Sequence, residues 1–284
     1  PEFLPRAVGF QNRVGKPVVF DSHEDYRLQA MYKDYLPGWI RPAVGGVVGK
    51  IEDNTVRKLA GVIAATPSIA ERFHYHEHCE VIQNFPIKSE FDFPEDEQLN
   101  RNPHLLGFVG CLSEVRGVRE MVDSLPLAGA DLKLDLGGYW SPESLQADCA
   151  ASPGWAQVNE LGFMDRDNIR EMFSRISVGL VLLHPVQSYL TAYSVKMFEY
   201  MAAGLPVIAS DFSLWRDIVD EAGCGLLADP LDVQAIGRAM RQLADNPEEA
   251  IAMGKRGRAA IESRFNWERE LEKLLPFYET LGGS

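Results

Sequence analysis

Lys196 and Glu199 are the only charged residues in the run SVKMFEYMAA, residues 194–203. Three positions apart on a helix, they share one face. A solvated pair of this kind contributes only about 0.2–0.5 kcal/mol, and Lys before Glu is the poorer order for the helix dipole. Facing a ligand is the stronger reason for two charges on an otherwise apolar helix. A carboxylate one turn inside can accept from two vicinal hydroxyls, and the free backbone N–H groups at the Ser194 end suit an anion. A ribose and a phosphate together meet both requirements.

The neighbouring elements must position that helix. Residues 178–183 form a short, branched apolar run that predicts a buried strand, stopped by His184-Pro185. A polar loop follows, then a helix over 195–203 closed by Gly204, then a second buried strand over 205–209. Strand, helix and parallel strand make a βαβ unit.

The residues EYMAAGLPVIA, 199–209, carry a resemblance to the nucleotide-binding lobe of retaining glycosyltransferases of the GT-B fold, family 4 type. The family signature has two glutamates eight positions apart, then an apolar helix, Gly and a Pro-Val-Ile strand. Glu199 matches the second glutamate, and Thr191 stands where the first would fall. In the family that first glutamate contacts the transferred sugar, whereas threonine carries no charge. The resemblance therefore leaves three outcomes: a different donor or binding mode, another acid such as Asp211 in its place, or a protein that no longer transfers sugar.

The fold implied is α/β GT-B, with two Rossmann-like doubly wound domains facing a cleft. The expected division is an acceptor-side domain over residues 1–95, a nucleotide-sugar-binding domain over 96–265, and a helix over 266–284 crossing back. Strands are expected at 17–20, 61–65 and 79–83, with helices across 25–59 interrupted near Pro37-Gly38. Thr66-Pro67 reads as a helix start. Three strands are few for a doubly wound domain, and nothing in residues 1–20 matches the family's glycine-rich loop. The expectation is that this domain is only partly present and its first strand is left as a raw edge. Residues 85–103, acidic with three prolines, read as a linker or hinge.

In the second domain a strand at 105–109 leads into Gly110-Cys111-Leu112-Ser113 and a helix over 115–125. In the family this turn carries an Arg and, five residues on, a Lys before Gly, both reaching the diphosphate. Cys111 occupies the first position and Arg116, before Gly117, the second; its guanidinium fork suits phosphate. Residues 132–136 predict a strand ending at Gly137-Gly138, and Gly138 permits close approach of backbone to ligand. The turn Gly162-Phe163-Met164 is where family members read the base through main-chain groups. Asp165 caps a helix over 167–174. The strands ending at 109, 136, 161, 183 and 209 deliver their loops to one end of a parallel sheet, where such folds bind ligands.

The resemblance implies metal-independent transfer with retention from a UDP- or GDP-linked sugar, with no cofactor, to a saccharide or lipid-linked acceptor. It assigns His23, Arg116 and Lys196 to catalysis. It assigns Glu199, Gly110, Gly138, Phe163, Met164, Thr191, Tyr193, Ser194 and Val195 to the nucleotide sugar. Arg116, Lys196 and the helix start at Ser194 would neutralise the leaving diphosphate, and His23 would face the donor sugar. His184 either lines the cleft or ends its strand. His74, His76 and His78 alternate as metal ligands can, but sit at a helix-to-strand junction without a partner ligand elsewhere, which favours a solvated loop. A GT-B epimerase or hydrolase and a non-catalytic nucleotide-sugar-binding homologue are the alternatives.

A net charge of −13 opposes a nucleic-acid partner. No run of 18 apolar residues predicts a membrane-spanning helix. The first ten residues, PEFLPRAVGF, show no signal- or transit-peptide pattern. A cytoplasmic location is expected, at the inner membrane face if residues upstream of this chain make peripheral contact. Cys79, Cys111, Cys149 and Cys224 are scattered, without a CxxC, and read as free thiols.

Overall fold

A computed structural model describes residues 3–27, 37–91, 93–94 and 101–282. The chain divides into two compact units, Pro1–Asn84 with Trp267–Ser284, and Phe85–Asn266. The expected helices across 25–59 fall partly on residues 28–36, which lie outside the described residues, as do 95–100 of the expected linker.

The first unit contains helix α1 (Leu4–Val14), strand β1 (Val19–Ser22), α2 (Arg41–Val56), β2 (Gly61–Ala64), α3 (Pro67–Arg72), β3 (Cys79–Val81) and the terminal helix Trp267–Gly282. Its sheet is parallel with the order β1-β2-β3. Side chains alternate along β2: Val62 and Ala64 join one apolar cluster with Val56, Ile69 and Phe73, while Ile63 joins the other with Ile82, Phe277 and Leu281. The terminal helix lies so close that a Cβ on Gly61 would sit 2.7 Å from the Phe277 ring. Among the described residues β1 pairs on one side only. Helix α1 is not among the expected elements; Leu4, Ala7 and Val8 turn it to the apolar cluster around Val62. Gln11 ties it to β1, accepting from Val18 N–H at 3.0 Å. Thr66 caps α3 as expected, its Oγ1 accepting from Ile69 N–H.

The second unit holds β4 (Leu105–Leu112), α4 (Val118–Ala128), β5 (Lys133–Trp140), α5 (Ser144–Ala150), β6 (Val158–Gly162), α6 (Arg166–Arg175), β7 (Val178–Val181), α7 (Gln187–Leu190), α8 (Val195–Ala202), β8 (Val207–Ser210), α9 (Ser213–Ala222), β9 (Gly225–Ala228), α10 (Val233–Asp245) and α11 (Pro247–Ser263). All six strands are parallel, in the order β6-β5-β4-β7-β8-β9. The winding runs outward from β4 in one direction, then restarts beside it at β7. That reversal between β4 and β7 is the switch point, where open α/β sheets leave a crevice at the carboxyl ends. Both faces are covered, which is why the central strands read as unbroken apolar runs: Leu106, Phe108, Leu180 and Ile208 join one cluster, and Val109, Val181, Val207 and Ala209 the other.

Three segments depart from their expected structure. Strand β5 does not end at Gly137-Gly138 but runs through both to Trp140. The turn after β4 is a 3-10 turn, Glu114–Arg116, and α4 starts only at Val118, because Gly117 adopts φ +68° between them. Segment 85–94 is not a free connector over its described part, since Phe85, Phe91 and Phe93 are buried in the second unit's core. Arg170 Nη1 and Arg258 Nη1 donate to the Glu90 and Phe91 carbonyls at 2.8 and 3.0 Å.

Candidate functional site

Helix α8 is held on both flanks. The Tyr200 ring lies flat against β7, where a Cβ on Gly179 would come within 2.3 Å of it, and its hydroxyl donates to Gly107 O at 3.3 Å. Phe198 packs against Phe85 and Phe265 with ring centroids 4.8 and 5.3 Å away. Glu199 lies between these anchors, its side chain 6% exposed. Its carboxylate is not orphaned: Arg166 Nη1 donates to Oε1 at 2.8 Å and Lys196 Nζ to Oε2 at 2.7 Å. Both oxygens keep lone pairs for further donors. Arg166 also pairs with Glu90 and lies over the Phe91 ring. Burial alone would lower the Arg166 pKa, but Glu199 and Glu90 outweigh it and hold the guanidinium above its ordinary value.

A second group forms at the carboxyl end of β4 and β5. Gly110 and Gly138 are register partners with φ of +155° and +140°. A Cβ on Gly138 would fall 1.7 Å from Gly110 O, so only glycine fits this approach. Arg116 Nη1 lies over Gly110, 3.2 Å from where a Cβ would be. Among the described residues the Arg116 side chain has no hydrogen-bond or ion-pair partner. Its turn is clamped to the end of β7: Gly117 abuts Leu182 O, and His184 N–H donates to Val115 O at 2.9 Å. The His184 ring sits 3.1 Å from Glu120, on α4. Among the described residues, Arg116 therefore stands at the switch point without an ion-pair partner.

The remaining expected residues take these places. Phe163 is 79% exposed, while Met164 turns inward with its sulfur over Gly137. Asp165 caps α6, accepting from Asn168 N–H at 2.9 Å. Thr191 ends α7 and donates to Gln187 O at 3.2 Å. Tyr193 packs edge-on to Phe198. Ser194 is the N-cap of α8 without a side-chain capping bond, and Val195 beside it is exposed. Trp215 Nε1 donates to Ala192 O at 2.9 Å, fastening this loop to α9. Asp211, weighed as a substitute acid, pairs with Arg216.

His23 belongs to the first unit. Asn84 Nδ2 reaches its Nδ1 at 3.0 Å and Asp21 Oδ1 lies 3.1 Å from its Nε2, so both ring nitrogens have protein partners. His74 and His76 bond to the Glu71 and Leu59 carbonyls, and His78 N–H donates to the His76 ring. Among the described residues no group of three or more His, Cys, Asp or Glu could hold a metal ion. No helix among them is long and apolar enough to cross a membrane.

Arg166 escapes a reading by sequence. Its one local signal is a cation at the first position of a helix, where the dipole disfavours positive charge. Glu90 carries no signal at all.

Two parallel α/β units, the second wound around a switch point bearing these groups, define the GT-B class. Residues 89–260 match the family described as Glycosyl transferases group 1, and the chain belongs to that family. D-rhamnosyltransferase WbpZ of Pseudomonas aeruginosa is 22% identical over 269 residues, which cover 91% of this chain and 66% of that relative. The chain thus spans just under two thirds of that relative's length. Among solved structures, Anabaena Alr3699/HepE in complex with UDP superposes with a TM-score of 0.77 at 14% identity, over 98% of this chain and 76% of that one. Sucrose-phosphate synthase from Thermosynechococcus elongatus gives 0.70 at 20% identity, over 99% and 78%.

Cysteine labelling gives an independent probe of this unit. Burial pushes the Cys149 and Cys224 thiols up to about 11 each. A thiol so raised carries less thiolate at a given pH, lowering the reactive fraction at pH 8 by roughly 10²-fold. Neither should react with a disulfide reagent at pH 8 until the protein unfolds. Half-buried Cys111, next to Gly110, should react in the native state, and a nucleoside diphosphate should slow it. Labelling of Cys111 at one rate with and without UDP and GDP would argue against a ligand beside Gly110.

Proposed function

We propose that the protein transfers a sugar, with retention and without a metal, from a nucleoside diphosphate sugar to a saccharide or lipid-linked acceptor. The observation that carries this reading is the uncompensated Arg116 guanidinium over Gly110 at the switch point. On a chain of net charge −13, a cation without a counter-ion among the described residues calls for an anion. A diphosphate fits its bidentate fork. Glu199, fixed by Arg166 and Lys196, would take the vicinal ribose hydroxyls on its remaining lone pairs. Arg116, Lys196 and the Ser194 helix start would meet the charge that grows as the anomeric carbon–oxygen bond to the diphosphate breaks. The acceptor oxygen bonds to that carbon as its proton passes to the departing diphosphate oxygen. The UDP in the Anabaena relative and the rhamnosyl transfer named for WbpZ agree in class with this donor. His23 enters the reading as a contact of the donor sugar through the family resemblance alone.

Thr191 favours one second reading. It is neutral and spends its hydroxyl on Gln187 O, which suits a protein that binds the nucleotide sugar without transferring it. Titration calorimetry with UDP and GDP, alongside a turnover assay with their sugars, separates the readings. Arg116→Ala should weaken nucleotide binding at least tenfold, as one charge-assisted hydrogen bond of about 1.5–3 kcal/mol predicts. Unchanged affinity would remove Arg116 from the site. Nucleotide release that rises only when acceptor is added supports transfer, and tight binding without such release supports the second reading.

A further inference from the structure

We propose that Arg166 is a positioning residue for Glu199 and thereby sets discrimination for the ribose of the donor nucleotide. The inference rests on the reading of Glu199 as the ribose-binding acid. Three observations carry it. Arg166 Nη1 is 2.8 Å from Glu199 Oε1, while Lys196 holds Oε2, so the two cations fix the plane of the carboxylate. The pairing spans 33 residues and joins two separate elements, whereas Lys196 lies one turn away on the same helix. Arg166 opens α6, where a cation meets the positive end of the dipole. The charge is therefore placed there against the local preference of its own helix.

The geometry explains what this accomplishes. A carboxylate that is 6% exposed loses most of its hydration. Each cation takes one lone pair of one oxygen, leaving one acceptor position on each. Two acceptor positions in a fixed plane match a pair of vicinal hydroxyls. With Arg166 gone, Lys196 alone holds Glu199, and the plane can turn about that single bond. Glu90, on the outer side of the same guanidinium, limits the rotamers of Arg166 and keeps it aimed inward. The Arg166 side chain is 53% exposed, so its replacement leaves the core intact.

The test uses UDP and GDP, each beside its 2′,3′-dideoxy form, bound to wild type, Arg166→Ala, Arg166→Lys, Glu199→Gln and the double variant Arg166→Ala/Glu199→Gln. The readout is the ratio of ribo to dideoxy affinity, which a general loss of structure would not change selectively. Wild type should prefer the ribo form at least tenfold. Arg166→Ala and Glu199→Gln should both bring the ratio towards one, the double variant should be no worse than Glu199→Gln, and Arg166→Lys should recover part of the preference. Arg166→Ala keeping the full ratio while Glu199→Gln loses it would overturn the inference and leave the ribose reading standing. Arg166→Ala lowering affinity further in the Glu199→Gln background would also overturn it, since Arg166 would then act on ligand directly. Wild type that binds the ribo and dideoxy forms equally, or Glu199→Gln that keeps the full wild-type preference, would overturn the ribose reading itself and the inference with it.

Discussion

Glu199→Ala should lower kcat/KM for sugar transfer by roughly 10²- to 10⁴-fold, the largest functional effect expected from one side chain. Two hydroxyls donating to a carboxylate contribute about 1.5–3 kcal/mol each, and every 1.4 kcal/mol is about tenfold. Stability should fall much less. Breaking one side of a fully buried pair costs about 3–5 kcal/mol, but the cations left behind are not fully buried: Lys196 is 28% and Arg166 53% exposed, and Arg166 keeps Glu90. The variant should therefore fold, with its melting temperature near that of wild type, and bind nucleotide poorly. Steady-state kinetics together with thermal unfolding check both parts. A folded Glu199→Ala protein with kcat/KM within threefold of wild type would sink the assignment. Glu199→Gln is the closer comparison, because it keeps the shape and two of the acceptor positions while removing the charge.

Gly138→Ala should have the largest effect on stability. Its φ of +140° lies where side chains are rarely found, and the added methyl carbon would overlap Gly110 O at 1.7 Å. Backbone strain of about 1–3 kcal/mol adds to an overpacking term of about 1–3 kcal/mol. The sum is a large share of the roughly 5–15 kcal/mol that holds a domain folded. The comparison variant is Gly162→Ala: φ there is +69°, but a methyl meets nothing within 4 Å, so only the conformational term of about 1–2 kcal/mol applies. Urea denaturation of the two variants separates strain from contact. If Gly138→Ala loses no more stability than Gly162→Ala, β4 and β5 do not approach as described. Where Gly138→Ala still folds, β4 must shift at Gly110, the residue beneath Arg116, and nucleotide affinity should fall with it.

The parts of this molecule legible in the sequence are those set by short-range physics. Strands β7 and β8 with the helix α8 between them fall within a few residues of their expected places, because strands covered on both faces need continuous apolar runs. Thr66 and Asp165 cap the helices they were expected to cap, because a capping bond spans three residues. The reading failed where a local cue met a distant partner. Two glycines marked the end of β5, yet the strand continues through them, their missing side chains leaving room for the Met164 sulfur over Gly137 and for Gly110 O against Gly138. Acids and prolines marked 85–103 as linker, yet three phenylalanines in it found a core built from residues up to Phe265.

The candidate site divides along the same line. Spacing alone put Lys196 and Glu199 on one face of one helix, and the order of apolar segments alone required a parallel sheet with its loops at one end. Tertiary structure alone brought Arg166 to Glu199 and left Arg116 without a counter-ion among the described residues, because a charge's partners are chosen by three-dimensional proximity and not by separation along the chain. Sequence distributes the charged groups; folding decides which are neutralised within the protein and which remain for a ligand.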